Sequence, residues 1–299
     1  MNPPIHRRMP AVAGSFYPAN PAELSATLLE MRRKAEMLIP KAGEEATPPP
    51  AAIIVPHAGY VYSGVTAATG FAAAAADGKY KGIILVAPSH RVGFSGIAIG
   101  TYTRLATPVG DVNVDIPLQD KIAALADGRM IHRSDIPLKS EHAMEVELPL
   151  IQEFFPELPV VPIITGQFGA ELAEIIADRI AGVIPDDYLM VISSDFTHYG
   201  RDFNYLPFTG DVRGNLKKLD LEGAEKIASG VVGEFQQFLE RTGATICSAA
   251  GIMLAMAIVN RKYRHSRGCI ICYTNSGELT GDFSHAVGYC TLKLYGENI

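Results

Sequence analysis

Gly82-Ile83-Ile84-Leu85-Val86 runs straight into Ala87-Pro88-Ser89-His90, and this strand-to-loop junction points to a buried sheet. A short, continuous apolar run is a strand buried on both faces, because a half-exposed strand alternates apolar and polar residues. Two other segments repeat the design. Ala51-Ala52-Ile53-Ile54-Val55 leads into Pro56-His57-Ala58-Gly59-Tyr60, and Tyr188-Leu189-Met190-Val191-Ile192 leads into Ser193-Ser194-Asp195-Phe196-Thr197-His198-Tyr199-Gly200. In each, a His follows the strand within a few residues. Ligands of open α/β sheets bind outside the carboxyl ends of the strands. If these three strands are parallel neighbours, His57, His90 and His198 meet at one edge of the sheet.

Around these strands the patterns alternate. An Ala-rich helix is expected over 65–76, with further helices over 117–126, 141–155 and 170–180. Strands are expected at 97–102, 160–164, 269–274 and 286–294, and two or three helices fill 211–259. The segment 97–115, with Pro108-Val109-Gly110-Asp111, reads as antiparallel hairpin material, so the sheet is mixed. An N-terminal helix is expected over 20–39. Asn20 suits its cap, Pro21 its first position, and Leu24, Leu28, Met31, Ala35 and Leu38 form one apolar face. Residues 40–50, with the Pro48-Pro49-Pro50 triplet, read as a linker to a core over 51–299. The fold class is therefore α/β: a single domain with a central mixed β-sheet flanked by helices.

The 299 residues carry 48% hydrophobic side chains, 19% charged ones and a net charge of −6, which excludes disordered and low-complexity classes. A mildly acidic balance argues against nucleic acid or an anionic membrane as the main partner. The cluster Arg261-Lys262-Tyr263-Arg264-His265-Ser266-Arg267 reads as a solvated helix exit. The most apolar helix-like run, Cys247 to Val259, is 13 residues, short of the roughly 17–25 that span a bilayer. No apolar run follows Arg7 and Arg8, so no secretory signal is expected and the reading is cytoplasmic. Only four Cys occur, all in the last fifth of the chain, and they are no disulfide framework.

Imidazole is the commonest metal ligand and a good acid or base, which makes three strand-end His a candidate site. Asp195, three residues before His198, either orients that imidazole or caps the segment after it. Cys247 stands just before an apolar helix. A helix N-terminus favours the thiolate, the form that binds metals or attacks, although a small buried core residue fits there too. Ser140 is the expected cap of the helix over 141–155. His142 and Glu145 fall three apart on its face, placed to join the site, to support it or to face solvent. His285, before the last strand, is placed to rim a pocket. Cys269-Ile270-Ile271-Cys272 reads as strand, with no second such motif to complete a four-thiolate zinc site.

Several segments then fall in one order along nearly the whole chain. They are Ala13-Gly14-Ser15-Phe16-Tyr17, Pro56-His57-Ala58-Gly59-Tyr60 with Tyr62 and Gly64, and Pro88-Ser89-His90. Glu141-His142 with Glu145 and Leu148-Pro149, the run from Ser193 to Gly200, and Thr245-Ile246-Cys247 complete the series. In these the chain resembles the MEMO family (mediator of cell motility), known in prokaryotes as AmmeMemoRadiSam system protein B. That family is similar in fold to the LigB-type class III extradiol dioxygenases, which hold non-haem Fe(II) with two His and a carboxylate. The resemblance implies that His57 and His90 are the two His ligands and His198 the catalytic acid/base. It places Cys247 where the dioxygenases have their Glu ligand. The resemblance implies Fe(II) as the metal; a thiolate, softer than a carboxylate and oxidisable, keeps Cu and Zn as candidates beside it. The resemblance also implies phosphotyrosine peptides as partners of the animal relatives, and a functional link to radical-SAM and AMMECR-type proteins in prokaryotes.

Three functional readings follow. In the first, one metal ion sits on His57, His90 and Cys247, His198 moves a proton, and Asp195 or Glu145 steadies it. A pocket lined by Phe16, Tyr17, Tyr60 and Tyr199 then suits a small planar or aromatic substrate. In the second, the same pocket is a non-catalytic binding module for a peptide or small anion. In the third, Cys247 is a nucleophile paired with His198.

Overall fold

The structure, a computed structural model, describes residues 5–39 and 48–298. Of the linker expected over 40–50, residues 40–47 lie outside the described residues. The chain opens with β1 (Arg7–Arg8) and α1 (Pro21–Leu38). Asn20 Oδ1 accepts from the N–H groups of Ala22 and Glu23 and so caps α1, whose buried face is Leu24, Leu28, Met31 and Ala35. After β2 (Ala52–Val55), α2 (Tyr60–Asp77) starts more than a turn before the expected position 65. Its first residues have poor helix propensity, but tertiary bonds override it. The Tyr60 N–H donates to Phe16 O and its hydroxyl donates to Val146 O.

The next strands are β3 (Gly82–Pro88), β4 (Ile97–Ile99), β5 (Arg104–Thr107) and β6 (Gly110–Asn113). The strand expected over 97–102 ends at Ile99. The hairpin forms as β5 and β6, yet with β1 it makes a separate three-stranded sheet. The middle of the chain contains α3 (Ile116–Ala123), β7 (Ile131–Arg133), α4 (His142–Phe154), β8 (Val160–Thr165), α5 (Ala170–Ile180), β9 (Tyr188–Ser193) and β10 (His198–Gly200). The chain then forms α6 (Val212–Ala228), α7 (Val232–Thr242), α8 (Ala249–Lys262), β11 (Tyr263–Asn275), α9 (Ser276–Thr280) and β12 (His285–Asn298). Part of the supposed basic helix exit is thus strand: Tyr263 to Arg267 belong to β11.

The main sheet has nine strands in the order β10-β12-β2-β9-β3-β8-β4-β7, with β11 on β12. Strands β2, β9, β3 and β8 are consecutive and parallel, while β12 and β4 join them antiparallel. The sheet is therefore mixed, as expected, and the three strands that end in His loops are parallel neighbours. Their side chains alternate between two apolar layers. Ile54, Ile84, Val86 and Ile192 meet the layer that holds residues of α5, α7 and α8. Ile53, Val55, Ile83, Leu85 and Val191 meet the layer with residues of α1, α2 and α4. Burial of each such side chain contributes about 1.5–3 kcal/mol, which makes these strands a rigid platform for the loops at their carboxyl ends. Among the described residues no helix is long and apolar enough to cross a membrane.

Candidate metal centre

Strand β9 lies between β2 and β3, so its loop stands between the loops carrying His57 and His90. His57 is 2% exposed. Its backbone N–H donates to Asp195 Oδ1 at 2.8 Å, and its ring Nδ1 lies 2.9 Å from Ser193 Oγ. His90 is held by one carboxylate. Its N–H donates to Glu141 Oε2 at 2.8 Å, and its Nδ1 lies 2.8 Å from Glu141 Oε1. With both Nδ1 atoms engaged, Nε2 is the coordinating nitrogen each ring has left. Cys247 is two residues before α8, and its N–H donates to the Asp195 carbonyl at 3.2 Å. One ligand atom each from His57, His90 and Cys247 lie within 4.8 Å of one another.

His198 stands beside this trio. It opens β10, and its N–H donates to Thr245 Oγ1 at 2.8 Å. Its Nδ1 faces two carbonyls, Phe196 O at 3.0 Å and Thr245 O at 3.2 Å. Carbonyls only accept, so the proton sits on Nδ1 and Nε2 carries the lone pair, 3.8 Å from Cys247 Sγ. The expectation that Asp195 orients His198 is corrected here. Backbone carbonyls fix that tautomer, and Asp195 instead bonds the His57 amide. Ligand atoms of Asp195, His198 and Cys247 also fall within 4.8 Å of one another.

Burial pushes the His57 imidazole down to about 4, against the opposing charge of Asp195, so the ring is neutral at pH 7 and free to donate its lone pair. Burial alone would raise the Glu141 carboxyl; contacts from His142 and His90 outweigh it and hold the group below the ordinary carboxylate range. Cys247 differs from the expected helix-terminus thiolate. Burial, with the charge of Asp195 added, pushes its thiol up. Without a cation beside it the sulfur keeps its proton, which speaks against the self-activated nucleophile. Two imidazole nitrogens and a sulfur are the donor chemistry of Fe, Cu or Zn rather than of Mg or Ca. A carboxylate behind His90 and a hydroxyl behind His57 complete a set that fits such an ion.

The remaining expected residues divide into those near the trio and those elsewhere. His142 is at the rim: its ring centroid is 4.5 Å from that of His90, 5.6 Å from that of His57 and 4.9 Å from that of Phe16. Glu145 does not face the centre. It pairs with Arg8 and accepts from the N–H groups of Ala11 and Val12 and from the Tyr17 hydroxyl. Tyr17 and Tyr60 are correspondingly buried in the apolar layer, 3% and 6% exposed. Tyr199 and His285 line a neighbouring cavity of about 690 Å³, with Phe203 between His198 and His285. Three residues close to the centre have no role assigned from the sequence: Glu141 and Ser193, present in the quoted segments, and Glu147. Glu141, not Ser140, caps α4, accepting from the Ala143 N–H at 3.0 Å. For Glu147 the available signal is a carboxylate within an otherwise apolar stretch of helix, Val146 to Leu150.

The Memo-like protein family matches residues 8–293 of the chain. A MEMO1 family protein of Thermococcus onnurineus is 31% identical over 299 residues, covering 95% of this chain and 98% of the relative. The Protein memo-1 homolog of Caenorhabditis elegans is 28% identical over 302 residues, covering 97% of this chain and 83% of the relative. Among solved structures, the uncharacterized protein JW3007 of Escherichia coli K12 superposes with a TM-score of 0.53 at 11% identity. That match covers 82% of this chain and 99% of the other, and it bears on the fold alone.

Proposed function

On the premise that this chain belongs to the Memo-like protein family, we propose that it carries out metal-dependent redox chemistry on a small or aromatic substrate. In this reading His57, His90 and Cys247 hold one metal ion, Fe(II) ahead of Cu; Zn suits the same donors but has no redox chemistry of its own. The supporting observation is the mutual approach of their ligand atoms to within 4.8 Å at the carboxyl edge of three parallel strands. When bound, such an ion supplies Lewis acidity and open coordination positions for electron transfer.

The chain's own residues do the rest. Nε2 of His198 takes a proton from a substrate hydroxyl or thiol at the centre, since Nδ1 is committed to carbonyls. Asp195, close to the same point, stabilises the imidazolium that results. Glu141 and Ser193 fix the His90 and His57 rings, so the ligand geometry is set before a metal arrives. Phe16 and His142 offer ring surfaces at the rim to a planar substrate. A module for peptides or small anions is less well supported, because the Glu141 and Asp195 carboxylates, buried beside the centre, put negative charge next to any anion bound there.

Anaerobic titration with Fe(II) tests the reading. One ion per chain is expected, with binding lost in His57→Ala, and metal-dependent oxygen uptake abolished in His198→Ala while binding persists. Absence of stoichiometric binding, or binding unchanged by His57→Ala, overturns it.

A further inference from the structure

Helix α4 turns a carboxyl group into the core that the proposed chemistry does not use. Glu147 is fully buried. Its Oε1 lies 2.8 Å from Ser193 Oγ, and among the described residues its Oε2 has no hydrogen-bond partner. Ser193 Oγ also lies 2.8 Å from the Ala143 carbonyl and 2.9 Å from Nδ1 of His57. Three polar groups therefore converge on one hydroxyl.

A hydroxyl has one proton to give and two lone pairs to receive with. The Ala143 carbonyl is an acceptor only, so the serine proton goes there. Both other partners must then donate. His57 does so from Nδ1–H, and Glu147 can do so only as a carboxylic acid. An ionised Glu147 would leave one of two oxygen–oxygen contacts at 2.8 Å without a proton. It would also bury a negative charge with one oxygen unpaired, which is far costlier than burying a neutral carbonyl oxygen.

We propose that Glu147 is held as a neutral carboxylic acid whose proton anchors Ser193, making it the positioning residue that keeps His57 protonated on Nδ1 with the Nε2 lone pair turned to the centre. The environment agrees with the geometry. Burial pushes the Glu147 carboxyl well above the ordinary range, outweighing the Ser193 contact that lowers it, and the charge of Asp195 adds to the rise. The other titratable groups around it are Tyr60, itself pushed up by burial, and His57 beyond Ser193. The metal consequence rests on the reading that His57 is a ligand; the protonation state and the ring orientation do not.

Two measurements on the metal-free protein test the proposal. Infrared difference spectra at pH 7, wild type minus Glu147→Gln, are expected to show the carbonyl stretch of one protonated carboxylic acid, the contribution of Asp220 being common to both proteins and cancelling. Nitrogen NMR of the His57 ring is expected to report one Nδ1–H tautomer in the wild type. Glu147→Gln keeps a donor and retains that signature. Glu147→Met fills the same space without a donor, frees Ser193 to rotate and gives an averaged ring signal. Packing alone predicts Met to be at least as good as Gln. Absence of the infrared band, or a His57 signature in Glu147→Met equal to that of the wild type, overturns the proposal. If no metal binds but both spectra behave as stated, it is the proposed function that fails.

Discussion

Glu141 makes four contacts with two oxygens: the His90 amide and ring, the His142 ring, and the Ala143 amide that begins α4. It couples a helix cap to a proposed metal ligand. Glu141→Ala is expected to weaken metal binding by about 10–100-fold in a chelator competition, as loss of a ligand's supporting carboxylate does. Loss of the cap adds about 1 kcal/mol of destabilisation, read as a lower melting temperature. The difference between what was legible and what was not is plainest at this scale. His57, His90, His198 and Cys247 are visible in sequence because their side chains carry chemistry and follow buried strands. Glu141, Ser193 and Glu147 are hidden because their role lies in bonds to residues 46 to 136 positions away. Asp195 is visible, but its partner is not: proximity in sequence pointed to His198, while the fold gives it the His57 amide.

At the scale of elements, α6 is tied to the loop that carries His198. Asp220 of α6 accepts from the Thr197 N–H at 3.0 Å and from the Tyr273 hydroxyl at 2.9 Å. Gly288 of β12 leaves it room, since a Cβ there would stand 1.8 Å from Asp220 Oδ2. Burial raises this carboxyl from its ordinary 3.8 to about 7, with the Thr197 and Tyr273 bonds opposing. Between these two pH values the unfolded chain is ionised while the native protein keeps its proton. Stability therefore falls as pH rises through that window and levels off above it. Asp220→Asn copies the neutral acid. It is expected to match the wild type below pH 4 and to exceed it at pH 8, by up to about 4 kcal/mol at about 1.36 kcal/mol per tenfold change in proton affinity. Urea unfolding at the two pH values checks this; equal stability at pH 8 contradicts it. The long apolar strands were legible because burial on both faces removes polar residues from them. Strand β1 was not: it is two residues long and pairs with Arg104 and Leu105, far along the chain.

At the scale of the whole molecule, the N-terminal segment closes over α4. Arg8, 1% exposed, pairs with Glu145 and donates to the carbonyls of Leu138 and Glu141. Arg8→Met leaves Glu145 charged and buried without its cation. About 3–5 kcal/mol of stability is expected to be lost, measured by denaturant unfolding; a change below 1 kcal/mol contradicts the assignment. This strap brings Phe16 to the rim beside His142, so residues near both ends of the first half of the chain meet at one edge of the sheet. The order of the strands, with β9 between β2 and β3, is a long-range property that local sequence patterns do not encode, and it is what brings the loops together.

The proposed metal centre depends on that convergence. Anomalous scattering from crystals grown with Fe(II) under nitrogen reports site, identity and ligands in one experiment. The expected result is a single iron peak within bonding distance of Nε2 of His57, Nε2 of His90 and Sγ of Cys247. A peak elsewhere, or none at this edge of the sheet, contradicts it.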